Sequence, residues 1–264
     1  MPSLRNLSPT LHASAALHVG AVVALAAGVQ WPWAAAAVLT NHALLTGIGL
    51  WPRSTLLGPN MLRLSAAQQD SRQVAITIDD GPNPQVTPAV LDILDSWQAK
   101  ASFFCIGKAV QTYPELAREI VRRGHRVENH SYSHRHYFSL MGIGTLRNEI
   151  SQAQDVISQI TGQKPVYFRA PAGLRSPLLD PILRDLGLTL ATWTRRGFDT
   201  VTEDPHTVLQ RLTYKLSAGD ILLVHDGHCA HTLQGQPVVL DVLPQLLGMM
   251  QHQGLSAVAL SHAA

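Results

Sequence analysis

Only two cysteines, Cys105 and Cys229, occur among the 264 residues, without a CxxC pair, so neither a disulfide framework nor a thiolate zinc site is expected. Cys105, inside ASFFCIG, reads as an inert, buried small residue. Charge is also sparse. Asp, Glu, Lys and Arg make up 14% of the chain, the formal net charge is +2, and no basic run is interleaved with aromatics. That excludes a nucleic-acid partner, which needs clustered Lys and Arg against phosphates. No repeat or low-complexity tract stands out beyond Ala-rich stretches near the N-terminus.

The lack of charge is most complete over residues 11–30 and 33–51, which contain no Asp, Glu, Lys or Arg. Each stretch approaches the roughly 20 residues that cross a bilayer as a helix. The expectation is a membrane anchor over 1–51, a helical hairpin turning at Trp31 and Pro32, seated in membrane lipid of a bacterial inner membrane. One span plus an interfacial segment, or a signal peptide following Arg5, are the alternatives; a second apolar stretch directly after the first argues against simple secretion. His42 falls mid-span, where a neutral imidazole packed between helices is expected. Arg5 precedes the first stretch, and Arg53 and Arg63 follow the second. On these few charges the positive-inside rule favours a cytoplasmic catalytic domain.

Residues 52–73 hold Pro52, Gly58, Pro59 and a polar AAQQDSRQ run and read as a linker. Over 74–264 short β-rich runs alternate with amphipathic segments. Strands are predicted near 74–79, 101–106, 125–129, 166–169, 188–193, 220–225 and 255–260. Helices are predicted over 86–98, 114–123, 145–161, 178–186, 205–217 and 237–252, several ending at Gly124, Gly187 or Gly254. Alternating strands and helices imply an α/β fold with a parallel sheet, and about seven strands in this length suggest a small or incomplete barrel.

The polar candidates share one placement. Asp79 and Asp80 end the first predicted strand, His130 the third, Arg169 the fourth and His225 the sixth. In a β/α barrel the C-terminal strand ends form one face, so these residues converge there. Alone, DDGP reads as a turn, and the His130/His134 pair is weak evidence. Together they offer a metal two imidazoles and one carboxylate, with a second carboxylate beside it. Zinc hydrolases and non-haem iron oxygenases both use such a set. The spare carboxylate and the distant His225 favour a hydrolase, which needs a base beside its water and an acid for the leaving group.

TIDDGP, NHSYSH, FRAPAG and LLVHD, in this order, resemble the motifs of the polysaccharide deacetylases, the NodB homology or carbohydrate esterase 4 family, over about residues 72–262. The resemblance implies a distorted (β/α) barrel and metal-dependent hydrolysis of an N-acyl group on an amino sugar, with a divalent metal, zinc by preference. It makes Asp79 the base, Asp80, His130 and His134 the metal ligands, Arg169 the holder of the base, Leu223 part of the acyl pocket and His225 the acid. Tyr132, within NHSYSH, is a further substrate-binding candidate. The expected partner is an N-acylated amino-sugar glycan of the cell envelope, lipid-linked or free. A small amide or imide substrate, or a non-catalytic glycan-binding relative, are the alternatives.

The chain departs from the family pattern at Ile78, at the motif that holds Asp199, and at Arg195 and Arg196. Ile78 replaces the usual aromatic before the Asp pair, and WTRRGFDT stands where an Asp-Trp is usual. Asp199 is therefore the candidate to orient His225, and Trp193 or Phe198 the aromatic wall against a sugar. Arg195 and Arg196 form a double positive charge that suits the phosphate of a lipid-linked sugar. His228 and His231 have the spacing of a second metal pair, but DGHCAHTLQGQP reads as a polar loop. His136 reads as a surface residue.

Overall fold

The computed structural model describes residues 7–261. Its first two elements are the apolar stretches, as helices α1 (Pro9–Ala26) and α2 (Trp31–Leu50). They pack side by side through a polar seam in which Asn41 donates to Ser14 and the Nε2 atoms of His18 and His42 lie 3.2 Å apart. His42 thus faces the other helix, as expected for an imidazole in such a stretch. The turn is not at Trp31 and Pro32. It lies just before them, with Gly28 at a φ of 88°, and Pro32 sits in the first turn of α2. A proline is tolerated there because its missing N–H has no partner in the helix anyway.

Eight strands follow: β1 (Gln73–Asp79), β2 (Ala101–Cys105), β3 (Arg126–Asn129), β4 (Tyr167–Phe168), β5 (Thr189–Leu190), β6 (Arg195–Arg196), β7 (Ile221–His225) and β8 (Ser256–Val258). All pair in parallel, in the order β5-β4-β3-β2-β1-β7-β6, with β8 on the first half of β1. The sheet curls into an open barrel whose edges are β5 and β6. The seven predicted strands are all present. β6 is the addition: two arginines carry no strand signature, and their pairing with Leu222 and Leu223 of β7 makes them one.

The helices are α3 (Ala66–Asp70), α4 (Thr87–Ser96), α5 (Gly107–Thr112), α6 (Pro114–Arg122), α7 (Ile143–Thr161), α8 (Leu179–Asp185), α9 (Pro205–Thr213) and α10 (Val238–His252). Six match the predicted ones, and Gly124, Gly187 and Gly254 follow α6, α8 and α10 at positive φ. Helices α3 and α5 were not predicted, because five or six residues are too few to display a helical period.

Alternation along β1 decides what faces where. Val74, Ile76 and Ile78 pack under α4 and α10, while Ala75 joins an inner cluster with Phe104, Tyr167 and Ile221. Thr77 and Asp79 share the inward face, so Ile78 lies on the opposite side from the polar residues. Within the segment expected to be a linker, Leu57 and Leu64 are buried. Met61 forms a β-bridge with Ala191, and the Leu64 N–H donates to the carbonyl of Gly219, so this stretch crosses from the β5 edge to the start of β7.

One buried histidine away from the strand ends gives a pH prediction. His125 is 1% exposed, and its Nδ1 accepts the N–H of Ala101, so the proton sits on Nε2. Burial, then repulsion from Lys100, pulls its pKa down to about 4. A depressed histidine favours the neutral folded form, so its contribution is intact above the unfolded value of about 6.5 and is lost as pH falls toward 4. Stability is expected to drop by up to about 3 kcal/mol across that window, since each tenfold loss of proton affinity is worth about 1.4 kcal/mol. His125→Asn is expected to flatten the drop, measured as thermal unfolding of the full chain in detergent from pH 7 to 4; an unchanged slope would contradict the assignment.

Candidate active site

Parallel strands share one direction, so their C-terminal ends gather on one side of the barrel. Asp79 and His225 are the last residues of β1 and β7, and His130 and Arg169 come just after β3 and β4. Asp79, His130 and His225, with Asp80, His134, Trp193, Leu223 and Arg196, line a cavity of about 440 Å³.

Beneath the cavity lies Arg169, fully buried. Its Nη1 donates to Asp79 Oδ1 at 2.7 Å and Thr77 Oγ1 at 2.8 Å, its Nε to the Ala191 carbonyl and its Nη2 to the Thr192 carbonyl. The guanidinium also lies 4.0 Å from the centre of the Phe104 ring. Burial pulls its pKa below the usual arginine value, against the pull of Asp79, yet an arginine starts so high that it stays charged. Asp79 is therefore a carboxylate held in one orientation with its second oxygen free of Arg169.

Asp80 is surrounded by imidazoles. Its Oδ1 lies 3.3 Å from His130 Nε2 and 3.2 Å from His134 Nε2, and its Oδ2 lies 3.1 Å from His228 Nδ1. Burial would raise the Asp80 pKa, but the imidazoles of His130 and His228 beside it outweigh burial and hold the carboxyl well below its usual range. His130 Nδ1 donates to the Arg169 carbonyl at 2.8 Å, which leaves the lone pair on the Nε2 that faces Asp80. Burial, helped by repulsion from His130, lowers His134 to about 4, so it is neutral at pH 7.

Asp80, His130 and His134 fit a divalent cation. One ligand atom from each lies within 4.8 Å of the others, and Asp80 Oδ1 is buried without a hydrogen bond. An anionic oxygen and two neutral imidazole nitrogens converging on one point is a donor set that zinc and similar ions accept.

Across the cavity, Asp199 holds His225 by two bonds. Its Oδ1 is 2.9 Å from His225 Nδ1 and its Oδ2 accepts the His225 backbone N–H at 2.7 Å. Burial opposes charge on this ring, but the Asp199 hydrogen bond and the nearby carboxylates prevail, and the pKa rises above the ordinary histidine value. The aspartate of WTRRGFDT thus reaches His225.

The family model described as polysaccharide deacetylase matches residues 66–191. A peptidoglycan-N-acetylglucosamine deacetylase of Bacillus cereus is 31% identical over 66% of this chain and 81% of its own length. The chain belongs to the polysaccharide deacetylase family. A chitooligosaccharide deacetylase of Azorhizobium caulinodans is 33% identical over 60% of the chain and 76% of its length. The peptidoglycan-N-acetylmuramic acid deacetylase PdaC of Bacillus subtilis is 31% identical over 73% of the chain, which spans only 38% of that longer protein. Among solved structures, PdaC superposes with a TM-score of 0.63 at 28% identity, covering 72% of this chain and 88% of that one. A family pseudoenzyme of Bacillus anthracis superposes at 0.67 with 24% identity, covering 76% and 67%. Since the deacetylase fold also occurs in a pseudoenzyme, the side chains in the cavity carry the functional argument.

The remaining expected residues divide between the cavity and other places. Leu223 and Trp193, both nearly buried, line it. Arg196 lines it too, its guanidinium carbon 5.4 Å from the centre of Trp193 and 4.9 Å from that of Phe198. Arg195 does not. Neighbours on a strand point to opposite faces, and Arg195 turns to Asp220 and the Lys215 carbonyl. The expected arginine pair is therefore one arginine in the cavity. Tyr132 also lies outside the lining: its hydroxyl donates to Gln111 at 2.7 Å and its ring packs against Gly107.

Two residues expected in a loop or on the surface belong to the cavity. His136 lines it, and His228 contacts Asp80 while stacking at 6.0 Å on His134. His231 instead forms a backbone bridge with Pro237, so no second metal pair forms with His228. The three-residue spacing from His225 was the available signal for His228. Gly227 completes the approach, since a Cβ there would lie 2.5 Å from Asp80. Asp226, the last residue of LLVHD, is buried, accepts from Thr87 and is pushed up to about 7 by that burial. Both cysteines stay thiols: burial raises Cys105 well above its ordinary value and Cys229 to about 11.

Proposed function

We propose that this chain is a metal-dependent hydrolase that removes an N-acyl group, acetyl by preference, from an amino sugar of a cell-envelope or lipid-linked glycan. The observation that carries this reading is a cavity shared by three groups of residues. These are the Asp80, His130 and His134 donors, an Asp79 held by Arg169, and a His225 held by Asp199. The related deacetylases act on peptidoglycan and chitooligosaccharides, which are N-acetylated amino-sugar polymers.

Asp80, His130 and His134 would hold the metal, and a divalent ion there, zinc by preference, would supply Lewis acidity toward the amide carbonyl and lower the pKa of a water. Asp79 takes the proton of the attacking water through the oxygen that Arg169 leaves free. His225, whose pKa lies above the ordinary histidine value, gives a proton from its imidazolium form to the departing amine as the C–N bond breaks. Asp199 keeps the proton on Nδ1 and the ring in orientation, so the transferred proton comes from Nε2. Leu223 gives the acyl group an apolar contact, and Trp193 offers a face to the sugar. Arg196 has no carboxylate partner among the described residues, and its charge suits a phosphate on the substrate.

The same reading makes 1–51 the anchor, 52–73 the connection and 74–264 the catalytic domain. Helices α1 and α2 are long and apolar enough to cross a membrane, and little of them is buried. Val22, Trp31, Trp33 and Leu39 are each at least two-thirds exposed. So large an apolar surface in water is far beyond the usual patch of a soluble monomer, and a bilayer covers it.

The test is incubation of the purified full chain, reconstituted with zinc, with N-acetylglucosamine oligomers and with a polyprenyl-phosphate-linked N-acetylated sugar, reading released acetate. Release from at least one is expected, with His134→Ala losing metal and activity together. Full metal loading without release from any substrate would refute the reading.

A further inference from the structure

A second cavity, of about 150 Å³, lies between α2 and the catalytic domain. On the α2 side it is lined by His42, Leu45 and Thr46, and on the domain side by Leu140, Leu174 and Arg175. The two loops that form its domain wall also wall the active-site cavity. One loop gives Ser133, His134 and His136 to the active site and Leu140 to the second cavity. The other gives Ala172 and Gly173 to the first and Leu174 and Arg175 to the second, so the two linings are one residue apart.

The hairpin is docked against this wall. The Arg175 N–H donates to the Gly49 carbonyl at 3.0 Å, and a Cβ on Gly49 would lie 2.5 Å from the Arg175 carbonyl oxygen, so only glycine permits the contact. At about 1.5 Å per residue, the stretch of α2 from His42 to Leu50 is roughly 12 Å long. In a hydrocarbon core about 30 Å thick, that is the near leaflet. Leu140, on the facing loop, is 84% exposed. If α2 crosses a bilayer, this loop enters it beside the helix.

Building on the deacylase reading, we infer that the second cavity holds the first part of the hydrocarbon chain of a lipid-linked substrate, with its phosphate toward Arg196 and its N-acyl sugar in the active-site cavity. The size agrees: a cavity of about 150 Å³ accepts benzene, so five or six carbons fit. The chain continues past Leu140 into the bilayer, and the hairpin serves as one wall of the substrate site as well as an anchor.

The test uses the full chain in phospholipid nanodiscs and a polyprenyl phosphate carrying a diazirine on its first isoprene unit. Photolabelling needs no turnover, so it reports on this cavity even if every N-acyl sugar proves inert, a result that would sink the deacylase reading alone. Labels are expected within 42–50, 139–140 or 174–177, and are expected to fall at least fivefold when unlabelled polyprenyl phosphate is added in tenfold excess. Absence of label there, or label that excess polyprenyl phosphate does not displace and that therefore marks bulk phospholipid sites, would overturn the inference. In a second arm, Thr46→Phe fills the cavity and is expected to lower at least tenfold the ratio of kcat/KM for the lipid-linked sugar to that for the lipid-free oligomer. An unchanged ratio in a folded variant would count against it.

Discussion

Asp79→Asn is expected to lower turnover of an N-acetylated amino sugar about 10³-fold, within the 10² to 10⁴ range for loss of a general base, while zinc content stays at one ion per chain. The substitution removes the basicity of one oxygen and little else. Asn keeps an acceptor for the Arg169 Nη1 donor, now 2.7 Å from Asp79 Oδ1, and the cation donors Asp80, His130 and His134 are untouched. The measurement is acetate release at saturating zinc together with metal analysis of the same sample. Activity within tenfold of the parent would remove Asp79 from the role of base. Loss of zinc along with activity would instead make it a ligand.

The largest effect on stability is expected at Arg169. Arg169→Met removes the ion pair with Asp79, the donors to the Ala191 and Thr192 carbonyls and the contact with Phe104. Asp79 is only 3% exposed, so its carboxylate is left buried without its main counter-charge. Removing one partner of a buried pair costs about 3–5 kcal/mol, because the other keeps its desolvation penalty. That loss is expected in thermal or denaturant unfolding of the full chain in detergent. The double variant Asp79→Leu with Arg169→Met is expected to recover part of the stability and none of the activity, since an apolar pair carries no stranded charge. A single-variant loss under about 1 kcal/mol would show that Arg169 does not neutralise Asp79.

Much of the fold was legible because its signals are local. The run VAITID alternates side chains across a strand, and that alternation alone puts Thr77 and Asp79 on one face and Ile78 on the other. Alternating strands and amphipathic helices imply parallel strands, and parallel strands bring their C-terminal ends together. β6 was missed because Arg195 and Arg196 form a strand only through the backbone of β7. The packing of 52–73 was missed because its polar and turn-forming residues hide Leu57, Met61 and Leu64, whose partners lie far along the chain.

The site divides in the same way. Residue types and their order indicate a metal, a base and an acid at the strand ends, and Asp199 stands out where a motif is altered. His228 reads as loop because its spacing from His225 says nothing about Asp80, which it meets only where the β7 loop folds over the end of β1. Tyr132 lies inside a motif, yet the turn after β3 sends its hydroxyl to Gln111.

By itself the sequence determined the parallel strand direction, two apolar helices and the metal, base and acid candidates at the strand ends, since all of these follow from neighbours a few positions apart. Only the tertiary structure decided two further things: that Arg196 enters the cavity while Arg195 leaves it, and that α2 forms a wall beside the active-site loops. Those outcomes depend on distances through space, which closure of the curled sheet sets and which no local pattern encodes.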